Sequence, residues 1–241
     1  MFIWCAMRKD SRRGFTVIEV MIALCLASLV MVTMFTAFRS QRESYQAQED
    51  VVDLQQAVRA GLSLLADDLR MAGYDPDGTD KYGFTLATSN QFTVTLVSDW
   101  DGMNNDPLAD AVTDEDGEEN TITYHLAANE NDPANFNDLV RVADGSNDQL
   151  QLIENIRGNR LQFLYTLADG SGPLSVVSVG HLKDIRKVDV YIVAESPKRI
   201  GSYDYMQSYD VPDGLGGTTT WNVTGRHLFV QKTIFCRNMN F

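Results

Sequence analysis

Residues 15–38 read FTVIEVMIALCLASLVMVTMFTAF, twenty-four positions with a single charge, Glu19. A helix crossing the hydrocarbon core of a bilayer needs about 20 mainly apolar residues, so this stretch is long enough to span. Charge is distributed unevenly around it. Arg8, Lys9, Arg12 and Arg13 against Asp10 give residues 1–14 a formal +3, so residues 15–241 carry −16 within a chain of net −13. Basic residues stay on the cytoplasmic side of a span, which places residues 1–14 in the cytoplasm and residues 39–241 outside. An ordinary secretory signal fits poorly, because its apolar region is shorter and is followed by a small-residue cleavage site. Here the apolar run passes directly into RSQRESYQAQED, residues 39–50, and only Ala37 imitates such a site.

Glu19 is the anomaly in that run. A carboxylate at the centre of a spanning helix costs about 2.5–3.5 kcal/mol on insertion scales and usually has a function and a partner. A cut between Gly14 and Phe15 would create an α-ammonium four residues from Glu19, and in a helical assembly a neighbour's ammonium would neutralise the carboxylate. The alternative is that Glu19 snorkels to the membrane interface.

The run Arg13-Gly14-Phe15-Thr16-Val17-Ile18-Glu19-Val20 resembles the type IV prepilin signal, with Gly before the cut, Phe after it and Glu as the fifth residue of the mature chain. The resemblance implies cleavage between Gly14 and Phe15 by a membrane aspartyl prepilin peptidase, N-methylation of Phe15, and a role for Glu19 in aligning subunits. Many members of that family carry glycine where this chain has Ser28, and major pilins often break the helix with proline, which is absent here before Pro76.

Beyond the apolar run, Val51, Leu54, Val58, Leu62, Leu65 and Leu69 recur at the three- and four-residue spacings of an amphipathic helix. The spacing predicts one helix from about Phe15 to Ala72, roughly 85 Å long at 1.5 Å per residue, with Gly73 as its C-cap and Gly61 as a weak point inside it. Leu65-Ala66-Asp67-Asp68-Leu69-Arg70-Met71-Ala72-Gly73-Tyr74, together with Gln56–Arg59, looks like the helix end of PilW-type minor pilins, and a comparable region occurs in J-type pseudopilins of type II secretion. The tail, with Phe229–Phe235 followed by Arg237-Asn238, and the stretch Gln149–Tyr165 are similar to the same proteins.

After Tyr74 the pattern turns to strands. Candidates are Phe92–Val97, Thr121–Leu126, Leu139–Val142, Gln149–Ile153, Arg160–Leu167, Val188–Val193 and Leu228–Phe235, about seven in all. Asp144-Gly145, Arg157-Gly158-Asn159 and Asp169-Gly170 mark turns between them. The region Gly201–Trp221, with its tyrosines and glycines, reads as an exposed loop. One long helix followed by strands is an α+β arrangement, and the resemblance implies a pilin-like fold with the helix packed on an antiparallel sheet. The divisions are residues 1–14 as a cytoplasmic leader, 15–38 as a transmembrane and filament-core helix, 39–73 as an amphipathic continuation and 74–241 as a β-rich globular domain.

The remaining chemistry is sparse. An acidic body lacks the Lys and Arg that release counterions from nucleic acid, so no nucleic-acid partner is expected. His125, His181 and His227 are scattered, and no pair has zinc spacing. No nucleophile elbow, P-loop or dinucleotide fingerprint is present, so no enzyme is expected. Cys236, the one cysteine outside the leader and the apolar run, reads as a small buried hydrophobe. Asn222-Val223-Thr224 matches a glycosylation acceptor and reads as chance. Asp75 and Asp77, Asp99 and Asp101, and Asp114 and Asp116 lie in Asp-x-Asp turns. Such turns supply oxygens of the kind calcium takes, or they are simply solvated turns; no cofactor is required.

The expectation is a PilW-type minor pilin, held by a single pass in the bacterial inner membrane with residues 39–241 periplasmic and later part of a pilus, or fimbrium, at the cell surface. The resemblance implies as partners the prepilin peptidase, other minor and major pilins, the inner-membrane assembly platform and a tip adhesin. A type II secretion pseudopilin is the near alternative. A membrane-anchored, calcium-dependent adhesin is the alternative of another class.

Overall fold

The computed structural model describes residues 14–74, 82–97, 119–131, 136–143, 149–196 and 206–239. The chain divides between Gln48 and Glu49 into two compact units. Helix α1, Val17–Met71, runs through that division.

In the first unit every residue from Gly14 to Gln46 is exposed. Its hydroxyls find partners inside the helix: Ser28, Thr33 and Thr36 donate to the carbonyls of Cys25, Val30 and Thr33 at 2.8–2.9 Å. Folding a hydroxyl back onto the helix backbone meets the requirement that polar groups in lipid be satisfied internally. The position occupied by Ser28 is therefore neutral in a helix that otherwise presents Leu, Met, Val and Phe on all sides.

In the second unit the rest of α1 packs against sheets. Val58, Leu62, Leu65 and Leu69 are buried as their spacing predicts, and Leu54 is half-buried against the same core. Val51 departs from the expected stripe, at 37% exposed, because the buried face of the helix begins one turn later. Gly61 is no weak point. A Cβ there would lie 2.6 Å from Ile153 Cγ1 and 3.0 Å from the Leu152 carbonyl oxygen, so glycine is what lets helix and strand approach. The helix ends at Gly73, which adopts φ +79°, the left-handed conformation of a glycine C-cap. There the Tyr74 N–H donates to the Met71 carbonyl at 2.9 Å.

Among the described residues ten strands follow instead of about seven. β1 (Gly83–Ala87), β2 (Gln91–Val97), β3 (Glu119–Ala128), β4 (Phe136–Ala143) and β5 (Gln149–Arg157) form an antiparallel meander in chain order. β6 (Leu161–Leu167), β7 (Ile185–Glu195) and β10 (His227–Phe235) form a second antiparallel sheet in the order β10-β7-β6. β8 (Met206–Pro212) and β9 (Thr218–Thr224) pair as a hairpin. That hairpin corrects the expected loop over Gly201–Trp221, as far as its residues are described. Its buried apolar residues are Val211, Trp221 and Val223, with Tyr209 half-buried beside them, and they cover one face of the second sheet together with Leu164, Tyr191 and Val193. The other face of that sheet, with Val188, Val190, Ile192 and Ala194 of β7, shares the main core with α1 and the meander. β7 is thus buried on both faces, which explains its nearly unbroken apolar run. The fold is α+β, a long N-terminal helix whose second half packs on antiparallel sheets.

Candidate functional site

The sequence directs attention to Gly14, Phe15 and Glu19, and the structure adds Thr16. Gly14, Phe15 and Thr16 precede the helix with no regular secondary structure. Phe15 is 85% exposed, and nothing lies within 4 Å of where a Cβ on Gly14 would be. The Gly14–Phe15 peptide bond is therefore open backbone, not one locked into helical hydrogen bonds. A peptidase needs such a conformation to reach both sides of a bond.

Glu19 sits in the first turn of α1, and its carboxylate turns back toward the helix start. The Thr16 N–H donates to Glu19 Oε2 at 3.1 Å, the Thr16 hydroxyl to the same oxygen at 3.2 Å, and the Glu19 N–H to Thr16 Oγ1 at 3.3 Å. This is a reciprocal capping box, which satisfies two donors that a helix start otherwise leaves without partners. A negative charge there also suits the helix dipole. The signal was present in the sequence as Thr-x-x-Glu ahead of an apolar run, but the cost of a membrane carboxylate drew the reading toward an external partner instead. The carboxylate has a local one.

Residues 9–35 match the family model for the prokaryotic N-terminal methylation motif. The chain thus carries a prepilin-type N-terminal motif, and Gly14, Phe15, Thr16 and Glu19 all fall inside it. No curated protein matches the chain. Among solved structures, a type IV-like pilin from Thermus thermophilus is similar at 12% identity and a TM-score of 0.43, over 78% of this chain and 98% of that one.

The end of α1 and the tail after β10 meet in space. The Asn238 side-chain amide donates to the Arg70 carbonyl at 2.9 Å. A Cβ on Gly73 would fall 2.7 Å from the Asn238 carbonyl oxygen and 2.7 Å from Met239 Sδ. The tail thus closes over the helix end, and both stretches serve to terminate α1. One turn earlier, Asp68 Oδ2 accepts from the Tyr124 hydroxyl at 2.5 Å and from Arg141 Nε at 2.9 Å, tying the helix to β3 and β4. Burial first, and the Asp68 charge second, push the Tyr124 hydroxyl far above its ordinary range, so it stays a donor.

Asp75, Asp77, Asp99, Asp101, Asp114 and Asp116 lie outside the described residues. Among the described residues, no group of three or more His, Cys, Asp and Glu is placed to share a metal ion. Cys236 is buried as expected, and burial pushes its thiol up to about 12; it is a packing residue without a reactive thiolate. His125 and His227 lie in strands, and His181 in a short 3-10 helix, Val179–Asp184. His227 Nδ1 faces the Gly225 carbonyl at 2.9 Å and Nε2 faces the Tyr209 hydroxyl at 2.9 Å. A carbonyl only accepts, so Nδ1 carries a proton.

Proposed function

We propose that the chain is a minor pilin of PilW type: a structural subunit that is processed at Gly14–Phe15, methylated on Phe15 and built into a type IV pilus near its tip. Its role is structural, not catalytic. The observation that carries this reading is the exposed, non-helical Gly14–Phe15 junction immediately ahead of a helix that is apolar on every side and opens with a capped Glu19. An apolar helix with no buried face of its own needs lipid before assembly and other apolar helices after it. Cleavage leaves an α-ammonium one residue from Thr16. Glu19 then has two tasks, capping its own helix and pairing with an ammonium of the assembly.

Mass spectrometry of the mature protein should find N-methylated Phe15 at the terminus. An intact Met1, or a cut after residue 38, would overturn the reading. Substitution separates the two tasks of Glu19. Glu19→Gln keeps an acceptor for the Thr16 N–H but removes the charge, and Glu19→Ala removes both. Both variants should be cleaved normally yet fail to support piliation in a strain lacking the native copy. Normal piliation by Glu19→Gln would leave the carboxylate with the cap alone.

A further inference from the structure

The second sheet treats its two outer edges differently. The Cys236 N–H donates to the Arg186 carbonyl at 2.9 Å and the Ser196 N–H to the Arg226 carbonyl at 3.0 Å. Between those ends β10 pairs with β7 residue for residue, without a bulge. Opposed residues in an antiparallel ladder alternate between bonded and non-bonded pairs. The even-numbered residues of β10 therefore face β7, and His227, Phe229, Gln231, Thr233 and Phe235 direct their N–H and C=O groups outward. Among the described residues these outward groups have no backbone partner. On β6 the equivalent groups are taken: the Phe163, Tyr165 and Leu167 N–H groups donate to the carbonyls of Ser89, Leu174 and Ser171 at 2.7–2.9 Å. The meander protects its edges as well. β1 carries a register shift between Phe84 and Leu86, and the Ala87 carbonyl accepts from the Val177 N–H at 3.0 Å. β5 shifts register twice against β4 and meets Gly61 of the helix closely.

Proteins guard open edges with prolines, bulges, short strands or outward lysines. β10 is nine residues long, has no proline and no bulge, and its one lysine is spent on the helix, Lys232 Nζ donating to the Leu62 carbonyl at 3.1 Å. We propose that the outer edge of β10 is a strand-addition site for an extended segment of a different protein chain, neutral or basic, with apolar residues at alternate positions. Main-chain hydrogen bonds would supply affinity and alternate side chains the selectivity. The incoming apolar residues would cover Leu228 and Val230, which are half-buried against the main core. Charge chooses the occupant. A second copy would bring two bodies of −16 together, and a net charge that far from zero opposes self-association. A neutral or cationic segment meets no such repulsion. The proposal does not rest on the pilin reading, and either can fail alone.

The test uses the full chain in detergent micelles and, as probe, a lysine-flanked peptide of alternating threonine and valine, with a proline-interrupted version as control. Gln231→Pro removes an outward N–H that β7 does not use, a substitution an edge strand tolerates. It also removes the bond from the Gln231 side-chain amide to the Tyr191 hydroxyl at 3.1 Å, so it should lower the unfolding midpoint slightly, and it should weaken peptide binding by about tenfold or more. Hydrogen exchange of the unaltered chain should slow at Phe229, Gln231 and Thr233 when the peptide is added. If Gln231→Pro does not fold, that exchange measurement decides, and unchanged exchange overturns the proposal. So do equal binding by Gln231→Pro, absence of binding to the unaltered chain, and equal binding of the proline-interrupted peptide. A dimer in sedimentation that Gln231→Pro dissolves would assign the edge to a second copy and overturn the occupant named here.

Discussion

From Val17 to Gln46 every side chain of α1 is exposed, whereas from Val58 to Leu69 the helix buries Val58, Gly61, Leu62, Leu65, Ala66 and Leu69. Both segments are regular helix, so backbone propensity does not separate them. What separates them is where the apolar side chains find a partner. The later segment has an apolar stripe and a polar face, and its partners are strands of its own chain. Through Phe38 the earlier segment is apolar around its whole circumference and finds no such partner within its unit. Its polar groups accordingly close on the helix itself, through Thr16 with Glu19 and through Ser28, Thr33 and Thr36. Stability of the globular fold resides in one segment and interaction with the surroundings in the other.

The largest expected effect breaks that comparison if it fails. Leu65 is fully buried, and Leu65→Ala should destabilise the β-rich domain by about 2–5 kcal/mol, the usual range for emptying a leucine site in a core. Leu26→Ala, an equal truncation in the exposed segment, should leave the denaturant midpoint of that domain unchanged. Urea titration of the full chain in micelles, followed by far-ultraviolet circular dichroism, reads both. Equal losses would show that the two segments share one stabilising environment.

Gly61 sharpens the comparison, because local propensity and tertiary packing predict opposite signs. In an exposed helix Gly→Ala stabilises by about 1 kcal/mol. Here the new methyl would meet Ile153 Cγ1 and the Leu152 carbonyl inside contact distance, and overpacking costs about 1–3 kcal/mol. Gly61→Ala should therefore lower the urea midpoint. A raised midpoint would mean that β5 yields freely and that the close approach is incidental. A smaller loss is expected at the helix end. Asn238→Ala removes the bond to the Arg70 carbonyl and should cost about 0.5–1.5 kcal/mol, with faster hydrogen exchange confined to the last turn of α1.

These residues also show where the sequence was legible. The apolar run, the stripe from Val58 to Leu69 and strands β2 to β5 of the meander declare themselves through periodicity, whereas β1, only five residues long and opening on a glycine, did not. The β8–β9 hairpin did not, since of its strand residues only Val211, Trp221 and Val223 are buried and the rest match a polar, glycine-rich loop. Gly61 looked like a defect because a glycine in a helix costs conformational entropy, and only the position of Ile153 shows what it gains. The joining of Gly73 to Asn238 spans most of the chain, and no local pattern reports such a contact. Within residues 9–35, which match the methylation motif, Gly14, Phe15 and Glu19 stood out in the sequence as a pattern, while Thr16 emerged from geometry.

The smallest effect concerns His125, on β3 between Gln91 of β2 and Val140 of β4. Its Nδ1 is buried without a hydrogen-bond partner, and burial lowers its pKa below the ordinary value of 6.5. In the unfolded chain the ring binds a proton near 6.5, and in the folded chain it does so only at lower pH. Between those two values the unfolded state holds more protons, so stability rises with pH there. The contribution is complete above about pH 7 and is lost as pH falls below 6.5 through the folded value. Carboxylates titrate lower still, near 4, so the interval between about pH 5.5 and 7 sets them aside, and the comparison with His125→Gln separates His125 from the other two histidines. The melting temperature of the unaltered chain should rise with pH across that interval, and His125→Gln should flatten the slope. A slope unchanged in His125→Gln would assign the pH dependence to other groups and leave the buried Nδ1 without thermodynamic consequence.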